Sequence, residues 1–169
     1  FMPIIEKAAL GSSDEKLKSA AAILLQWNQS SRDKDEDGKY DQPATAIFRT
    51  FLPQLIKLTL ADDLGDAFKF FAAAGYPTPK KHAGSGSNLQ IGVKAIIESL
   101  HKPDRQKYDF FNGQKPETVV ANALSNAIET LEKDQGADMS KWRWTEDLDH
   151  DEMFGTFNGS AERLLEMMD

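Results

Sequence analysis

The sequence predicts an all-α fold, an irregular helical bundle, and three observations carry that prediction. Apolar residues recur at helical spacing in several separate stretches. No stretch alternates apolar and polar residues as a half-buried strand does. Prolines and glycines stand at the edges of the periodic stretches rather than scattered through them. A chain of 169 residues is long enough for one domain with a sizeable core. We therefore expect a single helical domain over residues 1–169.

The elements follow in order. Ser12, with Glu15 three residues on, has the form of a capping box. Leu17, Ala20, Ala21, Leu24 and Trp27 then fall on one helical face, with Trp27 read as a core residue. Pro43 suits a first helical turn and opens a second helix, with Ala44, Ile47, Phe48, Phe51, Leu55 and Leu58 as its stripe. Pro53 lies inside that run and is expected to kink it. Asp62-Asp63-Leu64-Gly65 is expected to interrupt it. Ala67, Phe68, Phe70, Phe71 and Ala74 predict a short apolar helix stopped by Gly75 and Pro77.

Residues 77–88 are rich in Pro, Lys, Gly and Ser, and Gly84-Ser85-Gly86-Ser87 predicts a flexible loop. Leu89, Val93, Ile96, Ile97 and Leu100 define a helix ended by Pro103. Pro116 opens a long one that turns Val120, Leu124, Ala127, Ile128 and Leu131 inward and ends near Gly136. Trp142, Trp144, Phe154 and Phe157 crowd an irregular stretch. Ser160 is placed to cap a final short helix carrying Leu164, Leu165 and Met168.

Composition narrows the partners. A net charge of −7 leaves no basic stripe able to neutralise phosphates, which argues against nucleic acid. No apolar run approaches membrane-spanning length, and no targeting segment stands out. The chain has no cysteine, hence neither disulfides nor thiolate metal sites. Phe1 precedes Met2, so the chain reads as processed or excised from something longer.

Between the first two stripes lies Asp33-Lys34-Asp35-Glu36-Asp37-Gly38-Lys39-Tyr40-Asp41. Aspartates at alternate positions followed by glycine match the first half of a calcium loop. Calcium takes several hard oxygen ligands, and short carboxylates at alternate positions can converge on one point. Gly38 permits the turn that brings round the Lys39 carbonyl, and Asp41 stands where a direct or water-bridged ligand is usual. The expected ligand set is therefore Asp33, Asp35, Asp37, the Lys39 carbonyl and Asp41, with Ca2+ as a structural ion. Ala44 occupies the position of the usual bidentate glutamate, so a calcium sensor is not expected. A solvated acidic turn is the alternative, because Asp and Gly are ordinary turn residues.

Catalytic chemistry is not written in the residues themselves. His82, His101 and His150 lie far apart and form no zinc spacing. There is no nucleophile elbow, phosphate-cradling glycine loop or dinucleotide fingerprint. Asp147, Asp149, His150, Asp151 and Glu152 make an acidic patch that reads as a solvated loop rather than a metal site.

A run of motifs does point to a family. Ala22-Ile23-Leu24-Leu25-Gln26-Trp27-Asn28 is followed by the acidic turn, Tyr40-Asp41, Pro43 and Ile47-Phe48. Further on come Ala123-Leu124 to Leu131, Trp142-Arg143-Trp144 and Phe154. In order and spacing, over about residues 17–157, this resembles the penicillin acylase (penicillin amidase) family. Thr145 stands where that family usually has glycine, and His150 lies farther from Trp144 than its pattern has it.

The resemblance implies an N-terminal-nucleophile amide hydrolase of α+β architecture, of which this chain is a helical segment of the large chain. In such enzymes a serine at the start of the large chain attacks the amide. Its own α-amino group is the base, and backbone and asparagine donors hold the oxyanion. Ser87-Asn88 looks superficially like such a start but is internal, so no catalytic residue is assigned here. The resemblance further implies a periplasmic or secreted parent. The expected partners are the remainder of the acylase, small chain and catalytic core, or self-association through exposed apolar surface, with Phe68, Phe70 and Phe71 expected to line it. The alternative function is a freestanding, cation-stabilised helical interaction module.

Overall fold

The computed structural model describes residues 1–68, 87–102 and 108–145, with side chains of residues 87–92 excepted. Five helices make up most of it: α1 (Met2–Leu10), α2 (Glu15–Leu25), α3 (Pro43–Leu64), α4 (Ser87–His101) and α5 (Pro116–Gln135). A 3-10 turn, Met139–Lys141, follows α5. The expected short helix at Phe70 and Phe71, the Gly84–Gly86 loop, Pro103, and everything from residue 146 on, including the acidic patch and the Ser160 helix, lie outside the described residues.

The stripes fold as their spacing dictates. Helices α3 and α5 form the central pair, and α1 lies against α5 and α2. Ile47, Phe51, Leu55 and Ile56 of α3 are fully buried with Val120, Ala123, Leu124 and Ala127 of α5. Ala20 and Ala21 of α2 and Ala44 and Ala46 of α3 join the same core, small side chains that let helices approach closely. Burying each of the large side chains is worth roughly 1.5–3 kcal/mol. Helix α4 contributes Ile96 and Leu100, with the Ser99 hydroxyl satisfied by the Ala95 carbonyl at 2.8 Å. Among the described residues no helix is long and apolar enough to cross a membrane.

Several expectations need correcting. The cap of α2 is Asp14, not Ser12. The Asp14 carboxylate accepts from the Lys16 N–H at 2.9 Å, while the Ser12 hydroxyl accepts from the Asp14 N–H at 3.0 Å. A carboxylate at the positive end of a helix outcompetes a neutral hydroxyl two residues earlier. Helix α1 was not expected from the sequence; Pro3 starts it and Ile4, Ile5, Ala8 and Ala9 bury its inner face. Helix α3 carries a buried Pro53 within it and ends at Leu64 with Gly65 as its cap, inside the Asp62–Gly65 stretch expected to interrupt it. Helix α4 starts at Ser87, two residues before its first expected apolar position. Phe68 is half-buried and packs with one side against the core.

One small sheet departs from the all-helical reading. β1 (Lys39–Tyr40) pairs antiparallel with β2 (Trp144–Thr145), Lys39 opposite Thr145 and Tyr40 opposite Trp144. Two-residue strands are too short to show alternation, so nothing in the sequence announces them. Their effect is positional: the ladder ties the acidic segment to the chain beyond α5. That chain is itself anchored by Trp142, fully buried with its indole N–H on the Gly136 carbonyl at 2.7 Å. Gln135 and Arg143 add a reciprocal pair, the Arg143 N–H on Gln135 Oε1 at 2.8 Å and Gln135 Nε2 on the Arg143 carbonyl at 3.0 Å.

Candidate metal centre

The acidic segment is a closed loop between α2 and α3. Its base is aromatic: Trp27 meets Phe48 at 5.5 Å between ring centroids, and Phe48 meets Phe51 at 6.2 Å. Trp27 is half-buried there and donates its indole N–H to the Ser30 carbonyl at 3.1 Å, which makes it a core-edge residue as expected. Gln42 donates to Asn28 Oδ1 at 3.0 Å across the neck. The Asp41 N–H on the Arg32 carbonyl at 2.9 Å closes the loop, and Asp41 Oδ1 accepts from the Lys34 N–H at 3.4 Å.

Within the loop, Asp33 organises the backbone. Its Oδ1 accepts from the Asp37 N–H at 3.2 Å and its Oδ2 from the Gly38 N–H at 2.8 Å. Asp37 Oδ1 accepts from the Lys39 N–H at 2.9 Å. Glu36 and Gly38 both take positive φ, 58° and 79°. Gly38 is thus required for its backbone conformation, since a Cβ there would meet open space.

The result is convergence of three of the expected ligands. Asp33, Asp35 and Asp37 each offer a carboxylate oxygen, and these oxygens all lie within 4.8 Å of one another. Calcium–oxygen bonds of about 2.3–2.6 Å put two ligands of one ion no more than roughly 5 Å apart, so the spacing fits a shared cation. The crowding has a protonic signature. Asp35 is held above the ordinary aspartate range, first by a hydrogen bond with the Asp33 carboxyl and then by the charge of Asp37. The segment Lys34–Lys39 is exposed throughout, and Asp33 is half-buried.

The other two expected ligands stand differently. Lys39 turns its backbone N–H into the loop, onto Asp37 Oδ1. Asp41 is not in the converging group; it works at the neck. What sequence reasoning missed is the pair of clasps, Arg32 with Asp41 and Asn28 with Gln42, and the β1–β2 ladder behind them. These are contacts between segments, and no local pattern signals them.

A second concavity of about 670 Å3 opens between α1 and α5, lined by Lys7, Gly11, Ser12, Lys115, Glu117 and Thr118. Lys7 and Glu117 pair across it. That pairing, with a bond from its own backbone N–H, holds the Glu117 carboxyl below its ordinary range. Ser87, the one serine with the look of a family nucleophile, begins helix α4 inside the chain, so its nitrogen is an amide and not a free amine.

Three comparisons converge with this architecture. A family model described as Penicillin amidase matches residues 1–162. Penicillin G acylase of Escherichia coli is 27% identical over 148 residues, covering 85% of this chain but 18% of that protein. The solved structure of a thermostable penicillin G acylase from Alcaligenes faecalis aligns with a TM-score of 0.63 at 25% identity, covering 85% of this chain and 26% of the other. The chain thus spans about a quarter of that solved chain and less than a fifth of the Escherichia coli protein, and that part is the helical bundle described above. With the family model covering nearly every residue, the chain belongs to the penicillin amidase family.

Proposed function

We propose that this chain is the helical part of a penicillin-acylase-type amide hydrolase, structural in itself and inactive alone. The observation that carries the reading is the mismatch in coverage: the family model spans residues 1–162, yet the chain matches only 18% of the Escherichia coli enzyme's length. The bundle supports or covers an acyl-binding cleft whose nucleophilic serine, free amine and oxyanion donors come from the rest of the enzyme. Its partners are the small chain and catalytic core, and the parent acts outside the cytoplasm. The substrate class is the side-chain acyl amide of penicillins, acyl-homoserine lactones or similar compounds. The acidic loop binds calcium for structure through Asp33, Asp35 and Asp37, with the Lys39 carbonyl and Asp41 completing the shell.

The test of inactivity is direct. The purified chain should give no turnover of a chromogenic phenylacetyl or fatty-acyl amide above the buffer rate. Turnover that Ser87→Ala abolishes would overturn the proposal, because it would place the nucleophile inside this bundle.

A further inference from the structure

Away from the acidic loop, the turn that leads into α5 carries an Asn-Gly bond, Asn112–Gly113. Such bonds are the ones through which a protein chain most readily loses ammonia. The backbone nitrogen of the glycine gives up its proton and attacks the asparagine Cγ. A Cγ–N bond forms, the bond from Cγ to Nδ2 breaks, and ammonia leaves with the proton. Water then opens the five-membered imide at one carbonyl or the other, leaving aspartate or isoaspartate. One water is consumed and one ammonia released. Glycine is the most permissive residue in the attacking position because it has no side chain in the way.

By exposure alone this bond should react. Asn112 and Gly113 are both exposed, and both have positive φ, 52° and 69°. The attacking nitrogen, however, is held. The Gly113 N–H donates to Asp109 Oδ2 at 2.7 Å, a short charge-assisted bond, and Asp109 Oδ1 accepts from the Phe111 N–H at 3.1 Å. Phe111 is buried in the core, so the turn cannot easily swing away from the carboxylate. The Gln114 N–H on the Phe111 carbonyl at 2.9 Å closes the turn behind it.

We propose that Asn112–Gly113 is a latent deamidation site that the Asp109 carboxylate keeps closed in the folded protein. The carboxylate acts twice. It binds the proton that has to leave, and its negative charge opposes formation of an amide anion next to it. Unfolding, or loss of Asp109, opens the site.

The test follows the formation of Asp and isoAsp at position 112 by peptide mapping at about pH 8 and about 37 °C. The folded chain is compared with the same chain in urea, where Asn158–Gly159, the chain's other Asn-Gly bond, serves as an internal clock. Folded wild type should react at least about tenfold more slowly at Asn112 than in urea, because the charge-assisted bond has to be released first. Asp109→Ala should bring the folded rate to within about threefold of the urea rate. Asp109→Asn keeps a neutral acceptor oxygen, and its rate should fall between the two. Equal rates for wild type with and without urea would overturn the proposal without recourse to any variant. So would an Asp109→Asn chain as well protected as wild type, since protection would then come from shape and not from the charge.

Discussion

Two loops of this molecule are built by the same device and do different things with it. In the acidic loop, Asp33 gathers the N–H groups of Asp37 and Gly38; in the turn before α5, Asp109 gathers those of Phe111 and Gly113. Each arrangement ends on a glycine of positive φ, 79° and 69°. The Asp109 turn holds one carboxylate and is pinned by a buried Phe111. The Asp33 loop has no buried anchor between Lys34 and Lys39, and it places two further carboxylates beside the first. One aspartate is sufficient to shape such a loop. Asp37 adds a backbone bond of its own, from the Lys39 N–H, but three carboxylates so close also repel one another, which is why the acidic loop and not the turn reads as a cation site.

The largest difference should come from the anchor. Phe111→Ala removes a buried aromatic from the core and should cost roughly 3–5 kcal/mol, read as a lowered urea midpoint with an unchanged slope. Asp35→Ala, at the exposed tip of the other loop, should leave the calcium-free midpoint no lower than wild type. Similar losses from both would show that the acidic loop is as integral to the core as the turn.

Calcium should separate the loops next. A ligand that binds only the folded state adds RT ln(1 + [L]/Kd), about 2.7 kcal/mol at a hundredfold excess over Kd. For a chain of this size that raises the melting temperature by roughly 5–10 °C. Asp35→Ala should remove most of the rise, while Asp109→Ala should lower the baseline and keep the rise. With no glutamate at Ala44 the required calcium is expected to be millimolar. If wild type melts at one temperature in calcium and in chelator, the loop is an acidic turn and the comparison with Asp109 loses its meaning.

How far the sequence discloses all this depends on the range of the interaction. Helix α5 is legible because Pro116 fixes its start and Val120, Leu124, Ala127, Ile128 and Leu131 repeat on one face; every one of them is buried. Helix α1 is short, and its four buried residues, Ile4, Ile5, Ala8 and Ala9, do not stand out as a periodic stripe. The cap of α2 is misread because Ser12 and Asp14 both qualify locally, and only the corner after Gly11 decides which one reaches the helix. In the acidic loop, composition names the residue types but not their partners. Asp33, Asp35 and Asp37 converge, whereas Asp41 is drawn to the neck by Arg32 and Lys34. The ladder of Tyr40 with Trp144 joins residues a hundred positions apart and has no local signature.

The smallest effect is a matter of sign, and it tests the crowding itself. Asp35 is raised above its ordinary range by the hydrogen bond with Asp33 and by the charge of Asp37. A carboxyl whose folded pKa exceeds its unfolded one favours folding below the unfolded value, near 3.8, and loses that contribution as pH rises through the folded one. At neutral pH without calcium, Asp35 is therefore a charge the fold tolerates rather than uses. Glu117 and Asp138 run the other way: both are depressed, by Lys7 and by Ser140 respectively, so their contribution is present at neutral pH and lost in acid. Asp35→Asn should then melt above wild type near pH 7 in calcium-free buffer, and the gap should close as pH falls through the raised Asp35 range to the ordinary aspartate one, where wild type protonates. Adding calcium at pH 7 should reverse the order, because the variant has given up a ligand. A variant that melts below wild type at pH 7 without calcium would mean that the Asp35 charge is already compensated by the protein. The acidic loop would then need no ion, and it would differ from the Asp109 turn only in composition.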